Sequence, residues 1–322
     1  MKQIWKEIGL ALILGMVLPG IVLSIAVRMN RGELQIADSL ETIGTQPEEE
    51  NTQIRLQMED GSVAEMNLEA YITGVVLAEM PASFESEALK AQSVVARTYA
   101  LRADNGKSKH EEAAVCTDSA CCQAYRSPDD YLQNGGSREN YEKVSAAVAS
   151  TEGLVLLYDG ELIEATYFSC SGGSTEDAVA VWGTEVPYLV ATDSPGEEAA
   201  THYSDTQNFT PEEFCEALSL ETQEPPKAWF GPVIYTAGGG IETIEICGSA
   251  FSGPELRKLL GLRSTAVTFT VDSDSIIAHT RGYGHRVGMS QYGADAMAVQ
   301  GKSFREILAH YYRGTSIEKL TD

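Results

Sequence analysis

One acidic residue stands in an apolar stretch at a point where a helix must end. Residues 71–81 contain a single charge, Glu79, and close with Pro81. The residue before a proline is pushed out of the helical region, so a helix end is predicted directly after Glu79. The helix dipole and the apolar neighbours both favour a protonated carboxyl group there. A general acid working near neutral pH needs that environment, so Glu79 is the candidate acid/base, although a glutamate that faces water would give the same pattern.

The next predicted helix places a polar residue on an apolar stripe. Ala88, Gln92, Val95 and Tyr99 share one helical face. A buried glutamine needs hydrogen-bond partners. A substrate sugar, Glu79 and the backbone are all open as partners of Gln92.

A cluster of possible metal ligands lies in a stretch of loop composition, residues 107–136. His110, Cys116 and Cys122 are each six positions apart, and Cys121 is a doubtful fourth member. One imidazole and two thiolates suit zinc, with a fourth position open for water or substrate. The alternative is disulfide bonding, because six cysteines allow up to three bridges in an exported protein.

Two segments rich in glycine and hydroxyl groups could bind a hydroxyl-rich ligand. Residues 281–294 follow a predicted strand and lead into a helix, and residues 167–175 are of similar composition. A phosphate-binding loop is disfavoured because no nucleotide-type βαβ unit surrounds the glycines. The candidate substrate contacts in these segments are Tyr167, His285, Ser290, Gln291 and Tyr292.

The elements that must position these residues predict an α+β fold with mixed helices and mainly antiparallel strands around a substrate groove. Strands and helices do not alternate as parallel units. Strands are predicted at residues 52–57, 63–68, 154–158, 162–169, 232–236, 242–247, 267–271 and 275–279. Helices are predicted at residues 68–78, 85–102, 140–150, 253–260, 290–300 and 304–312, and after Thr210-Pro211.

The N-terminus and the overall charge indicate where the protein works. Residues 8–27 carry no charge and are long enough to span a bilayer, so residues 1–31 are predicted to be a cytoplasmic stub with a transmembrane signal anchor. A cleaved signal peptide is the alternative. Residues 32–51 read as an acidic linker, and residues 52–322 as the exported body of a single-pass membrane protein. The net charge of −24 makes nucleic acid a poor partner.

Taken together, these segments resemble the stage II sporulation protein D family, membrane-anchored lytic transglycosylases of endospore-forming bacteria. The matching pieces are residues 71–81 with 87–101, residues 167–175 with Trp182, and residues 282–294 with residues 310–312 and Gly314. The resemblance implies that Glu79 is the catalytic acid/base of a peptidoglycan-cleaving enzyme. It further implies that the following residues lie near the same groove: Gln92, Arg97, Tyr99, Ser171, His285, Gln291 and Tyr292.

The resemblance also implies cleavage between N-acetylmuramic acid and N-acetylglucosamine, zinc held by His110, Cys116 and Cys122, and a role in forespore engulfment. The expected partners are the glycan strands, other sporulation wall hydrolases and membrane proteins. Two alternatives stay open. One is a zinc-dependent amidase or peptidase that cuts peptide stems, and the other is an anchored wall-binding scaffold without activity.

Overall fold

The computed structural model describes residues 52–272 and 275–320. The predicted anchor and linker lie outside the described residues. Within the described part, none of the helices is long and apolar enough to cross a membrane.

The N-terminal half is a helical layer beside a small sheet. Asn67 caps the first helix, because its side chain accepts a hydrogen bond from the Ala70 N–H at 2.8 Å. That helix ends at Glu79, since Met80 before Pro81 is extended (φ −121°, ψ 140°). The strands of this half are β1 (Gln53–Gln57), β2 (Val63–Asn67), antiparallel to β1, and β3 (Val115–Cys116), parallel to β1. The helices are α1 (Leu68–Glu79), α2 (Ser86–Arg102), a π turn (Ala103–Lys107), α3 (Pro128–Gln133) and α4 (Arg138–Ala149).

The C-terminal elements return to pack on this layer. One antiparallel sheet consists of β4 (Leu154–Tyr158), β5 (Glu161–Leu162) and the last strand, β14 (Ser316–Lys319). A short parallel pair joins β6 (Tyr167–Phe168) to β13 (Met289–Ser290). The helices of this part are α5 (Ala178–Trp182), α8 (Gln291–Val299) and α9 (Phe304–Tyr311).

Two further antiparallel sheets and two short helices form a smaller lobe. The first sheet contains β7 (Ser204–Phe209), β11 (Ala266–Asp272) and β12 (Ser275–Arg281), and the second contains β8 (Phe230–Tyr235), β9 (Ile241–Ile246) and β10 (Ser249–Ser252). The helices are α6 (Pro211–Leu218) and α7 (Gly253–Leu259), with a 3₁₀ turn at Pro226–Ala228. Thr210 caps α6 through a capping box with Glu213, as expected for a Thr-Pro start.

Each part has its own hydrophobic core. The larger core surrounds α1 and α2, with fully buried side chains such as Tyr71, Ile72 and Leu89. The smaller core surrounds Phe214, whose ring contacts the rings of Trp229 and Phe269. The α2 stripe of apolar residues is therefore used for packing inside the larger core.

Arg286 joins the smaller lobe to the larger part. Its buried guanidinium donates to the Ser171 and Gly238 carbonyls at 2.8 and 2.7 Å and to the Glu176 carboxylate at 3.0 Å. Glu176 in turn accepts the Gly240 N–H at 2.9 Å. The turn between β8 and β9 is thus tied to the loop that follows β6.

The predicted α+β class is confirmed, with two local differences. The single strand predicted at residues 162–169 is interrupted, because the chain leaves β4 after Leu162 and pairs with β13 only from Tyr167. Seven of the described helices and strands were not predicted from the sequence: β3, α3, α5, β7, β10, β13 and β14.

Candidate functional site

Glu79 lies at the junction of two adjoining cavities. The larger, of about 740 Å³, is lined by the end of α1, the cysteine loop, β6 and residues 283–285. The smaller, of about 430 Å³, is lined by residues 77–82 and by Tyr131, His202 and Tyr292. Glu79, Ser169 and Gln291 line both cavities. A polymeric ligand could therefore occupy space in two directions from one carboxyl group.

Three groups bind the Glu79 carboxylate. Its Oε1 accepts the Ala124 N–H at 2.8 Å, and its Oε2 accepts a longer bond from Gln291 Nε2 at 3.4 Å. The Tyr167 side chain is the third partner. Burial raises the pKa of Glu79 above its usual value, and these hydrogen bonds oppose that rise. The carboxyl group is thus biased toward the protonated form and still has partners once it has lost its proton.

A buried glutamine, not predicted from the sequence, orients Tyr167. Gln123 Nε2 donates to the Tyr167 hydroxyl oxygen at 3.2 Å, and Gln123 Oε1 accepts from the Tyr71 hydroxyl at 3.2 Å. Burial raises the pKa of Tyr167, which keeps its hydroxyl protonated as a donor. The sequence gives no signal for Gln123 beyond its position directly after Cys122.

His285 forms part of the wall of the larger cavity and is held neutral. Burial, with the charge of Arg257 as a second cause, lowers its pKa to about 4. Its Nδ1 accepts the Val287 N–H at 3.1 Å, and its ring lies 5.5 Å from the Trp182 ring, centroid to centroid. Trp182 is 42% exposed and lines the same cavity. This wall offers an aromatic surface beside a neutral imidazole.

The remaining predicted contacts are divided between cavity and core. Tyr292 lines the smaller cavity beside Phe84, and Gln291 contacts Glu79. Ser290 is fully buried and caps α8 by accepting the Gly293 N–H at 3.1 Å. Ser171 is also fully buried, and its hydroxyl donates to Glu197 at 3.0 Å. Ser290 and Ser171 therefore shape the site without lining it.

The structure does not bring Gln92 and Arg97 to the cavities. Both side chains are fully buried. Arg97 pairs with both Glu69 oxygens, with Nε donating at 2.7 Å and Nη2 at 2.5 Å, and Nη1 donates to the Leu154 carbonyl at 3.1 Å. The Gln92 amide has no hydrogen-bond partner among the described residues. Gln92 and Arg97 therefore lie in the core, on different sides of α2, rather than in the lining of the cavities.

A second carboxylate lines the larger cavity and was not predicted from the sequence. Glu164 lies between β5 and β6, is 43% exposed and pairs with Arg102 at 3.6 Å. Glu164 reaches the cavity because the chain is not paired as a strand between Leu162 and Tyr167, and local sequence patterns do not reveal that interruption.

His110, Cys116, Cys121 and Cys122 form one cluster. Their ligand atoms all lie within 4.8 Å of one another. His110 Nε2 is 3.4 Å from Cys122 Sγ and 3.6 Å from Cys121 Sγ, and the two adjacent sulfurs are 3.9 Å apart. Tetrahedral zinc, with Zn–S bonds of about 2.3 Å, needs ligand atoms about 3.5–4 Å apart. The donor set and spacing fit zinc, and Cys121 lies close enough to the other three to be a fourth ligand.

Tyr99 connects the cysteine cluster to the larger cavity. It lines that cavity and makes a side-chain hydrogen bond with Cys122. Cys121 and Cys122 also line it, and Ala124, two residues further on, donates to Glu79. The cluster and the carboxyl group are thus joined through one short segment.

Comparisons with known proteins agree on one family. A family model described as "Stage II sporulation protein" matches residues 57–158. The chain is 38% identical over 263 residues to "Stage II sporulation protein D" of Bacillus subtilis strain 168, covering 80% of this chain and 76% of that protein. The same figures hold for the protein of that name from Bacillus amyloliquefaciens. A Bacillus subtilis protein named "Amidase enhancer" is 30% identical over 299 residues, covering 76% of this chain and 40% of that protein.

Proposed function

Because the chain belongs to the stage II sporulation protein D family, we propose that it is a lytic transglycosylase that cuts peptidoglycan glycan strands during forespore engulfment. The observation that carries the proposal is Glu79, a half-buried carboxyl group with a raised pKa where two cavities meet. The cleaved bond joins N-acetylmuramic acid to N-acetylglucosamine. The body acts outside the cytoplasm, anchored by residues 8–27, with other wall hydrolases and membrane proteins of sporulation as partners.

The reaction uses Glu79 first as an acid and then as a base. The protonated carboxyl gives its proton to the leaving glycosidic oxygen. The resulting carboxylate is stabilised by the Ala124 N–H and by Gln291. It then removes the proton from the 6-hydroxyl group of the muramic sugar, whose oxygen closes a 1,6-anhydro ring on the anomeric carbon. The sugar supplies its own nucleophile, so no second carboxylate has to activate water.

The rest of the site positions the strand. Tyr167 is fixed by Gln123 next to Glu79. Trp182 and Tyr292 supply apolar faces in the larger and the smaller cavity, respectively. Neutral His285 adds an uncharged ring to the cavity wall, held in place by its bonds to the Val287 N–H and to the Tyr167 backbone. These groups suit sugar rings, which combine apolar faces with hydroxyl groups.

We assign zinc a structural role in this proposal. His110, Cys116, Cys121 and Cys122 would hold it, and the bound ion would cross-link the loop that carries Gln123 and Ala124. Four protein ligands make a closed site, which is typical of structural zinc. This argues against the zinc-dependent amidase, which needs an open position for water. The "Amidase enhancer" relative does not restore that alternative, because its name does not describe it as an amidase.

The test is the chemical form of the cut end. Glycan strands digested in ¹⁸O water should yield muramic ends that carry no label and weigh about 18 Da less than hydrolysed ends, because no water is consumed. Glu79→Gln should lower the rate by about 10²–10⁴ or more. Glu164→Gln is the matched control and should leave the anhydro product unchanged, since Glu164 has no step in this mechanism.

Each alternative gives a different digest. A reducing end that carries ¹⁸O would mean hydrolysis. If that product disappears in Glu164→Gln, the enzyme is a two-carboxylate hydrolase rather than a lyase. Released peptides with intact glycan would indicate an amidase. If the wild-type protein, with both glutamates intact, digests no wall material, the non-catalytic wall-binding scaffold remains as the explanation.

A further inference from the structure

A third cavity, of about 540 Å³, is basic and adjoins the larger one. Its lining includes Arg257 and Lys258 of α7, Arg263 and Tyr283. Tyr283 also lines the larger cavity, so one side chain forms the boundary between the two. Among the described residues, the lining of this cavity contains no carboxylate, whereas the larger cavity combines three cations with Glu79 and Glu164.

Two of these cations are available to bind a ligand. Arg263 is already engaged, because it pairs with Asp205 at 3.0 Å and its Nη1 lies 2.7 Å from His202 Nδ1. Within residues 52–272 and 275–320, no carboxylate lies within ion-pair distance of Arg257 or Lys258. Arg257 is half-buried as well, and a partly desolvated guanidinium without a counter-charge favours an anionic partner.

The positive charge of this basic cavity affects residues that line the larger cavity. Arg257 contributes to the lowered pKa of His285 and interacts electrostatically with Tyr283. The Arg263 guanidinium lies 5.8 Å from the centre of the Tyr283 ring. Because Tyr283 lines both cavities, a ligand along the Trp182–His285 wall has a route for a negatively charged substituent toward Arg257 and Lys258.

We propose that Arg257 and Lys258 form a subsite for a carboxylate carried by the muramic unit of the glycan. This inference rests on the proposed function. Muramic acid differs from glucosamine by a lactyl group, whose carboxylate is free in a stripped strand. In a strand with peptide stems the lactyl group is an amide, and the stem supplies carboxylates instead. The subsite binds what both kinds of strand have in common, a carboxylate beside the muramic ring. Because only every second sugar carries one, this contact would set the register of the strand.

The experiment measures binding of full-length Glu79→Gln protein, which cannot turn over, to three glycans. These are stripped strands, strands with stems, and stripped strands whose carboxylates have been converted to neutral methylamides. Adding Arg257→Gln and Lys258→Gln should weaken binding of a charged glycan roughly tenfold, as expected for lost charge-assisted hydrogen bonds. Binding of the neutral glycan should not change, which also shows that the variant is folded. The charged strand that loses affinity identifies the source of the carboxylate.

Lys302→Gln with Arg305→Gln is the matched control, because it removes two positive charges outside the three cavities. The control should bind all three glycans like its parent. The inference is overturned if Arg257→Gln with Lys258→Gln changes nothing, weakens all three glycans equally, or if no glycan binds any variant. A protein with Glu79 intact that binds through Arg257 but releases no anhydro product would instead overturn the proposed function alone.

Discussion

Two opposing influences set the protonation state of Glu79: burial of its carboxyl group and the hydrogen bonds that this group accepts. Burial raises its pKa, whereas the Ala124 N–H, Tyr167 and Gln291 favour the charged form. An acid that must also serve as a base benefits from both, because neither protonation state is strongly excluded.

This balance predicts a pH-dependent stability change in Glu79→Gln. A carboxyl group whose folded-state pKa is raised contributes stability at low pH and loses it as the pH rises through that pKa. Glutamine cannot ionise, so the variant should match wild type below the ordinary value of 4.5 and melt at a slightly higher temperature near neutral pH. Thermal denaturation between pH 4 and pH 8 measures the difference. Glu85→Gln, at an exposed position, should show no such trend, and a difference greatest in acid would contradict the argument.

Single residues also show how far the sequence could be interpreted. Pro81 was enough to place Glu79 at a helix end. The stripe containing Gln92 correctly indicated a buried face, but periodicity does not say whether that face meets a groove or a core. Gln123 and Glu164 depend on contacts between distant segments, so no local pattern could predict them.

Helices and strands were largely predictable because their ends are chemically marked. The Thr210-Pro211 start and the stop at Pro81 marked helix boundaries in the sequence, and the structure adds a capping box at Ser303. The missed strand β7 has the polar sequence SDTQNF and forms by pairing with β12, so its partner rather than its composition determines it. Cys121 stayed a doubtful ligand in the sequence because adjacent cysteines point the same way only in a tight turn such as that at residues 118–122.

The loop predicts an effect of Cys121→Ser. If Cys121 is a fourth ligand, its loss should weaken zinc binding by at least about tenfold, since even outer-shell changes cost about 10–100-fold. The loop should also lose thermal stability. Metal content and melting temperature are the measurements. Cys215→Ser is the control, because Cys215 packs against the smaller core and is not part of the cysteine cluster. Full zinc retention in Cys121→Ser would return the site to three protein ligands.

The Glu69–Arg97 ion pair joins α1 to α2, so we expect Glu69→Gln to lower the stability of the protein. The substitution leaves the fully buried Arg97 without its counter-charge; since Glu69 is 24% exposed, the cost should lie toward the lower end of the roughly 3–5 kcal/mol typical of a buried pair. KM for glycan should stay unchanged in the folded fraction, because Arg97 does not line the cavities. Lys90→Gln breaks a partly exposed surface pair with Glu87 and should cost at most about 1 kcal/mol. A raised KM with unchanged stability in Glu69→Gln would place Arg97 in the substrate site after all.

At the scale of the molecule, the two cores make separate contributions. Phe214 is fully buried and lies at the centre of the smaller core, so Phe214→Ala should cost about 3–5 kcal/mol there. Hydrogen exchange should report the loss first in β7 to β12, with α1 and α2 still protected. Phe251→Ala, nearer the edge of the same core at 8% exposure, should cost less. Equal loss of protection in both parts would mean that the two cores unfold as one unit.

The position of Glu79 between two cavities has a consequence for how a wall would be taken apart. An enzyme whose reactive group sits at the closed end of a pocket trims a chain from its terminus and releases pieces of one size. With space in two directions from the carboxyl group, a strand can be engaged by its middle. We therefore expect cuts scattered along each strand, with few cuts shortening the average chain greatly. Such cutting would loosen a stretched meshwork long before much material is dissolved from it.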